Sequence, residues 1–200
     1  MRINSPSKIA IGTAQFGFPY GISNKNGQVK KDEIFNILDL LININANTID
    51  TAKTYGESEK ILGHYLKTKS HYNWCVITKV KSDNNSLVKQ INDSISKLGI
   101  KPEIVLAHSV DDYLNPIFCR ELHELKAKKG IKKVGVSLYS SSEIKKVLLC
   151  NHPDVIQCPL NILDTRLYRN GLLDKLNTLG IEIHIRSVFL QGLFFLSNYK

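Results

Sequence analysis

An α/β fold built from parallel strands is predicted by three features of the 200-residue sequence. Short, β-rich apolar runs alternate with longer amphipathic stretches. After the first, these runs begin 22–29 residues apart, the length of one strand, one helix and two short loops. Each run is continuously apolar rather than alternating, as strands covered on both faces require.

The predicted strands begin near Lys8 (KIAIGTA), Asn47 (NTIDTA), Trp74 (WCVITKV), Glu103 (EIVLAHS), Lys132 (KKVGVSL), Asp154 (DVIQCPL) and Ile181 (IEIHIRS). Between them the hydrophobic period becomes helical. Ile34, Leu38, Leu41 and Ile42 share one face, as do Ile61, Leu62, Tyr65 and Leu66, and then Leu87, Val88, Ile91, Ile95 and Leu98. Ser140 and Glu143 have capping-box spacing, which predicts a helix start. Gly99, Gly130 and Gly180 each follow a helical stretch, where a left-handed residue is wanted.

Repeated β-α steps of one crossover hand form either an open doubly wound sheet or a closed barrel. The segment GTAQFG at 12–17 lacks the G-x-G-x-x-G turn of a nucleotide-binding sheet and leads into a long polar stretch, read as a loop. The strands instead end in Asp50, Lys79, His108, Ser137, Gln157 and Arg186. A (β/α)8 TIM barrel builds its site on that C-terminal rim. The reading is therefore one incomplete TIM barrel over residues 1–200, with about seven β-α units and the last strand and C-terminal helices missing.

Composition narrows the function. Hydrophobic residues at 42% and charged residues at 22% exclude a disordered or collagen-like chain. The net charge of +9 is spread over many segments. Its densest group, Lys126, Lys128, Lys129, Lys132 and Lys133, falls where a helix ends, so a dipole cap accounts for it without a nucleic-acid partner. The charge also favours an anionic small ligand, without specificity. Cys75, Cys119, Cys150 and Cys158 form no metal-ligand spacing and are expected to be buried, reduced thiols of a cytoplasmic protein. No signal peptide is visible, and the apolar run Val188–Leu196 is too short for a membrane span of roughly 20 residues.

On the rim, Asp50, Lys79 and His108 end three different strands, and Tyr55 follows Asp50 by five residues. Neighbouring parallel strands lie about 4.8 Å apart, so these ends converge. A tyrosine with a pKa of about 10 is a poor acid near neutrality, and a nearby ammonium is expected to lower it. Asp50 supplies the countercharge that a buried Lys79 needs. His108 can donate to a carbonyl oxygen and fix its orientation. Any one of these residues has an ordinary structural explanation; their cooperation suggests protonation of an oxygen while a hydride reaches its carbon. His64, His71, His123, His152 and His184 lack ligand spacing, so no metal site is expected. There is no G-x-S-x-G, and nothing else supports Asp50 and Glu57 as a glycosidase pair.

With those residues in hand, the chain resembles the aldo-keto reductase family. The resemblance runs through GTAQFG at 12–17, NTIDTAKTYG at 47–56, ESEKILG at 57–63, ITK at 77–79, LAHS at 106–109, KVGVS at 133–137, VIQCPLNILD at 155–164 and IRSVFLQG at 185–192. It implies a cytoplasmic barrel enzyme that reduces aldehydes or ketones with NADPH. By position it makes Tyr55 the proton donor, Lys79 and Asp50 its tuning pair, and His108 the carbonyl-orienting residue. Ser137 and Gln157 would hold the nicotinamide carboxamide, with Ser187, Gln191 and Gly192 beside the pyrophosphate and Gly12 and Thr13 bordering nicotinamide and substrate.

The sequence departs from the family pattern in three ways. Leu138 stands where many members have Asn, and Arg186 stands where many stack a Tyr on the nicotinamide; a guanidinium can also stack on a flat ring. The eighth strand and the basic segment that grips the 2′-phosphate and adenine are missing, so exposed sheet edges are expected. Phe189, Leu193, Phe194 and Leu196 are expected to lose covering partners. A catalytically inactive, nucleotide- or partner-binding member of the family is the alternative. The carbonyl substrate and the oligomeric state are not readable.

Overall fold

A computed structural model describes residues 7–196. Seven strands form one sheet: β1 (Ala10–Gly12), β2 (Thr48–Asp50), β3 (Cys75–Val80), β4 (Ile104–Ala107), β5 (Lys133–Ser137), β6 (Val155–Pro159) and β7 (Glu182–Arg186). Their order is sequential and every pairing is parallel. Among the described residues β1 and β7 do not pair, so the molecule is an open, incomplete (β/α)8 barrel. Among the described residues, no helix is long and apolar enough to cross a membrane.

Helices connect successive strands: α1 (Ala14–Gly17) and α2 (Lys31–Asn43), α3 (Ser58–Thr68), α4 (Leu87–Leu98), α5 (Val110–Leu114) and α6 (Pro116–Lys129), α7 (Ser141–Cys150), then α8 (Arg166–Arg169) and α9 (Leu172–Thr178). Their ends follow local chemistry. Ser140 and Glu143 form the capping box expected of them. Asn115 caps α6, with Pro116 in its first turn. Gly99, Gly130 and Gly180 all have positive φ.

One local expectation is corrected, and two details go beyond the sequence reading. The polar stretch after residue 17 is a loop as expected, but residues 14–17 before it form the one-turn helix α1, whose Phe16 is buried. Cys150 is exposed because it ends α7 beside the exposed Leu149, and Cys75 is only partly buried; Cys119 and Cys158 are buried as expected. The connection between β6 and β7 is two short helices, split where Gly171 takes a left-handed conformation.

The sheet has an apolar core on each side. Val105, Ala107, Val134, Val136, Ile156 and Cys158 pack against the helices in one large cluster, whereas Ile77, Ile104, Leu106 and Val155 form a small separate one. Register carries that second face upward: Asp50 lies opposite Ile77, Lys79 opposite Leu106, and Ser137 opposite Gln157. Inward positions are apolar low in the barrel and polar at its mouth. At the open side, the short β1 is largely exposed, as are Ile185, Val188, Phe189, Leu193, Phe194 and Leu196.

In the helical layer, Tyr113 Oη lies 3.2 Å and Asn151 Nδ2 lies 3.1 Å from Nε2 of His123. Because the Asn151 amide nitrogen can only donate, Nε2 is an acceptor and the ring is neutral. Burial holds the His123 pKa below its ordinary 6.5, with Asp154 acting upward and Lys126 downward. A depressed native pKa means stability that is present above pH 6.5 and is lost as pH falls through the native value. Urea unfolding from pH 7.5 to 5.5 is expected to show a steeper stability loss for wild type than for His123→Gln; equal slopes would remove His123 as the cause.

Candidate active site

Lys79 is 2% exposed, and its Nζ donates to both oxygens of Asp50 at 2.7 and 2.9 Å and to the Thr51 carbonyl at 3.1 Å. The same Nζ is 3.5 Å from Tyr55 Oη and lies 5.1 Å from the ring centroid. The His108 ring meets Tyr55 edge-on at 6.0 Å, and its Nδ1 is 3.1 Å from Thr54 Oγ1. Asp50, Tyr55, Lys79 and His108 therefore surround one patch at the barrel mouth. Phe18 adds an aromatic wall, its ring centroid 6.2 Å from that of Tyr55.

The electrostatics differ from the expectation in one respect. The Tyr55 pKa is raised above 10.0, not lowered. Burial is the largest cause; Lys79 acts downward, but Asp50 acts upward against it. The phenol thus remains protonated at neutral pH. Burial also holds His108 below 6.5, reinforced by the Lys79 ammonium, so its imidazole is neutral there.

The loop bearing Tyr55 is held from beneath. Ser58 Oγ donates to Thr13 Oγ1 at 2.9 Å and lies 3.1 Å from Thr51 Oγ1, while Thr13 Oγ1 donates to the Asp50 carbonyl at 3.1 Å. All three hydroxyl residues are fully buried. Thr13, expected to border the ligands, is thus engaged inside the wall, whereas Gly12 opens to space: a Cβ there would meet nothing within 4 Å. Thr78, next to Lys79, donates to Glu59 Oε1 at 2.8 Å. Gly17 packs directly on this loop, for an added Cβ would lie 1.6 Å from the Tyr55 carbonyl oxygen.

Across the mouth, Ser137 and Gln157 are buried register partners. Gln157 Oε1 has no hydrogen-bond partner among the described residues. Arg186 stacks on Tyr139, its guanidinium carbon 3.9 Å from the ring centroid, and donates to the Leu138 carbonyl at 3.0 Å and Ser187 Oγ at 3.2 Å. Farther along, Gln191 Oε1 accepts from Ile22 N at 3.1 Å, its Nε2 donates to Tyr20 Oη at 3.0 Å, and its carbonyl accepts from Ser23 Oγ at 2.6 Å. Gly192 follows with positive φ. The segment 187–192 therefore lies against the loop after α1. No cluster of three or more metal-ligating side chains occurs among the described residues.

The aldo/keto reductase family model matches residues 8–200. The chain belongs to the aldo/keto reductase family. Similar solved structures include a Pseudomonas aeruginosa protein assigned to the aldo-keto reductases, with TM-score 0.76 and 22% identity over 91% of this chain and 73% of that one. The glycerol dehydrogenase of Gluconobacter oxydans superposes with TM-score 0.75 and 24% identity over 99% of this chain and 65% of its own. A Klebsiella pneumoniae aldo/keto reductase solved with NADP and acetate has TM-score 0.67 and 15% identity, over 78% of this chain and 58% of that one. The chain thus spans about 58–73% of the length of these structures. No curated protein matches it.

Within this aldo/keto reductase chain, the sequence reading missed Thr54, Phe18, Ser58, Glu59 and Tyr139. Thr54 and the Ser58–Glu59 pair lie inside the DTAKTYGESE segment, so proximity to Tyr55 was their one available signal. Gly17→Ala is expected to destabilise the chain by about 1–3 kcal/mol, because the added methyl must displace Tyr55 backbone. Urea unfolding with wild-type stability would show that this approach relaxes freely.

Proposed function

We propose that the chain reduces an aldehyde or ketone to an alcohol with NADPH, using Tyr55 as proton donor. The observation that carries this reading is the contact of a buried Lys79–Asp50 ion pair with a protonated Tyr55 phenol. The nucleotide is supported by Gln157, whose buried Oε1 lacks a partner among the described residues and suits the amide N–H of a nicotinamide carboxamide. Ser137 stands beside it, and the Klebsiella relative was solved with NADP.

When bound, the reduced nicotinamide supplies a hydride to the carbonyl carbon. The residues of this chain manage the oxygen. Tyr55 holds its proton through the neutral range and transfers it as negative charge grows on the substrate oxygen. Lys79 stabilises the phenolate as it forms, and solvent later restores the proton. Asp50 keeps the ammonium in place and prevents an uncompensated buried charge. In the tautomer of neutral His108 whose Nδ1 accepts from Thr54, the opposite N–H is available to orient the carbonyl. Phe18 offers an apolar wall beside the reacting group.

Carbonyl-dependent NADPH oxidation tests this reading on the 200-residue chain, over a broad aldehyde and ketone panel. Tyr55→Phe is expected to lower kcat by about 10²–10⁴ while leaving NADPH affinity near that of wild type. Wild-type activity should show no Tyr55 ionisation limb below pH 10.0. Unchanged turnover in Tyr55→Phe would refute the proton-donor role. Nucleotide binding without turnover of any carbonyl would leave the non-catalytic alternative.

A further inference from the structure

We infer that Arg186 makes the nucleotide site discriminate between redox states, favouring the reduced, uncharged nicotinamide over the oxidised, cationic ring. The inference rests on the nucleotide-binding reading above and extends it. Arg186 lies opposite Pro159, which follows Gln157 by two positions on β6. Side chains two apart on a strand share a face, so Arg186 stands one step above the buried Gln157. Its guanidinium then reaches back to the Leu138 carbonyl and the Tyr139 ring, the two residues after Ser137. These contacts anchor a planar cation beside the Ser137–Gln157 pair that would hold a carboxamide.

Among the described residues, the charge of Arg186 is not matched by a carboxylate. Lys79 is matched by Asp50, and Lys53 by Asp93. Arg186 has no carboxylate within ion-pair distance among the described residues; its hydrogen-bond acceptors there are a carbonyl and a hydroxyl. A guanidinium does not deprotonate in proteins, so its field is permanent. The oxidised ring carries a positive charge and the reduced ring carries none, whereas the phosphates of NADP⁺ and NADPH are the same. A cation held beside the ring therefore penalises one redox form of it and spares the other. The bias favours loading of the reduced nucleotide and release of the oxidised one, the order that carbonyl reduction requires.

The test is isothermal titration of NADPH, NADP⁺ and 2′,5′-ADP into wild type, Arg186→Gln and Arg186→Lys, each first checked for wild-type thermal unfolding. Wild type is expected to prefer NADPH over NADP⁺. Arg186→Gln, which removes the charge, should reduce that preference by roughly tenfold. Arg186→Lys should keep most of it, and 2′,5′-ADP should bind all three alike. In wild type alone the preference should shrink as salt is raised, a readout that needs no variant. An equal preference in Arg186→Gln and wild type overturns the inference, as does an equal loss in both variants, which would assign the effect to the bracing contacts rather than the charge. Failure of wild type to bind any of the three nucleotides would overturn the nucleotide reading itself, and this inference with it.

Discussion

A lysine ammonium enclosed at the end of a strand has to be met by a carboxylate, and that requirement organises the barrel mouth. Moving one ion out of water costs several kcal/mol, and removing one partner of a buried pair costs about 3–5 kcal/mol. Lys79 is served by Asp50 on the adjacent strand and by the Thr51 carbonyl. Both acceptors come from the end of β2, so β2 and β3 must keep their register for the charge to be tolerated. The pair also explains why the phenol beside it is not a resting phenolate. The carboxylate offsets much of the ammonium's pull, and burial then decides the direction of the shift.

Rigidity around this pair comes from small groups. Gly17 and Gly56 let α1 approach the loop carrying Tyr55, for a Cβ on Gly56 would lie 2.5 Å from the Gly17 carbonyl oxygen. The Thr13, Ser58 and Thr51 hydroxyls join β1, the start of α3 and the end of β2 in one buried chain of hydrogen bonds. Glu59, in the first turn of α3, faces the positive end of the helix dipole and accepts from Thr78. Loop, helix and strand are thus fixed relative to one another independently of the polar groups at the surface.

Much of this was legible in the sequence, for identifiable reasons. Parallel strands covered on both faces leave uninterrupted apolar runs, so all seven strands could be located and their polar ends read as a rim. Asp50 and Lys79 followed from strand ends, and Ser140 with Glu143 from spacing alone. Other features depend on three-dimensional proximity. The direction of the Tyr55 shift requires knowing how deeply the ring is buried, which spacing does not encode. The Arg186–Tyr139 stack crosses an intervening strand. The division between α8 and α9 turns on the backbone conformation of the single residue Gly171.

The sequential strand order has a consequence for how the chain assembles. Among the described residues each strand bonds only to its neighbours in sequence, so most stabilising surface is created locally as each unit is added. Ties between the ends, such as those of Gln191 to Ile22 and Ser23, span 168–169 residues and belong to loops rather than to the sheet. Loop closure over that distance is therefore not a prerequisite for the β-ladder, and nucleation is free to begin in an interior segment and spread outward by accretion, as in a solenoid.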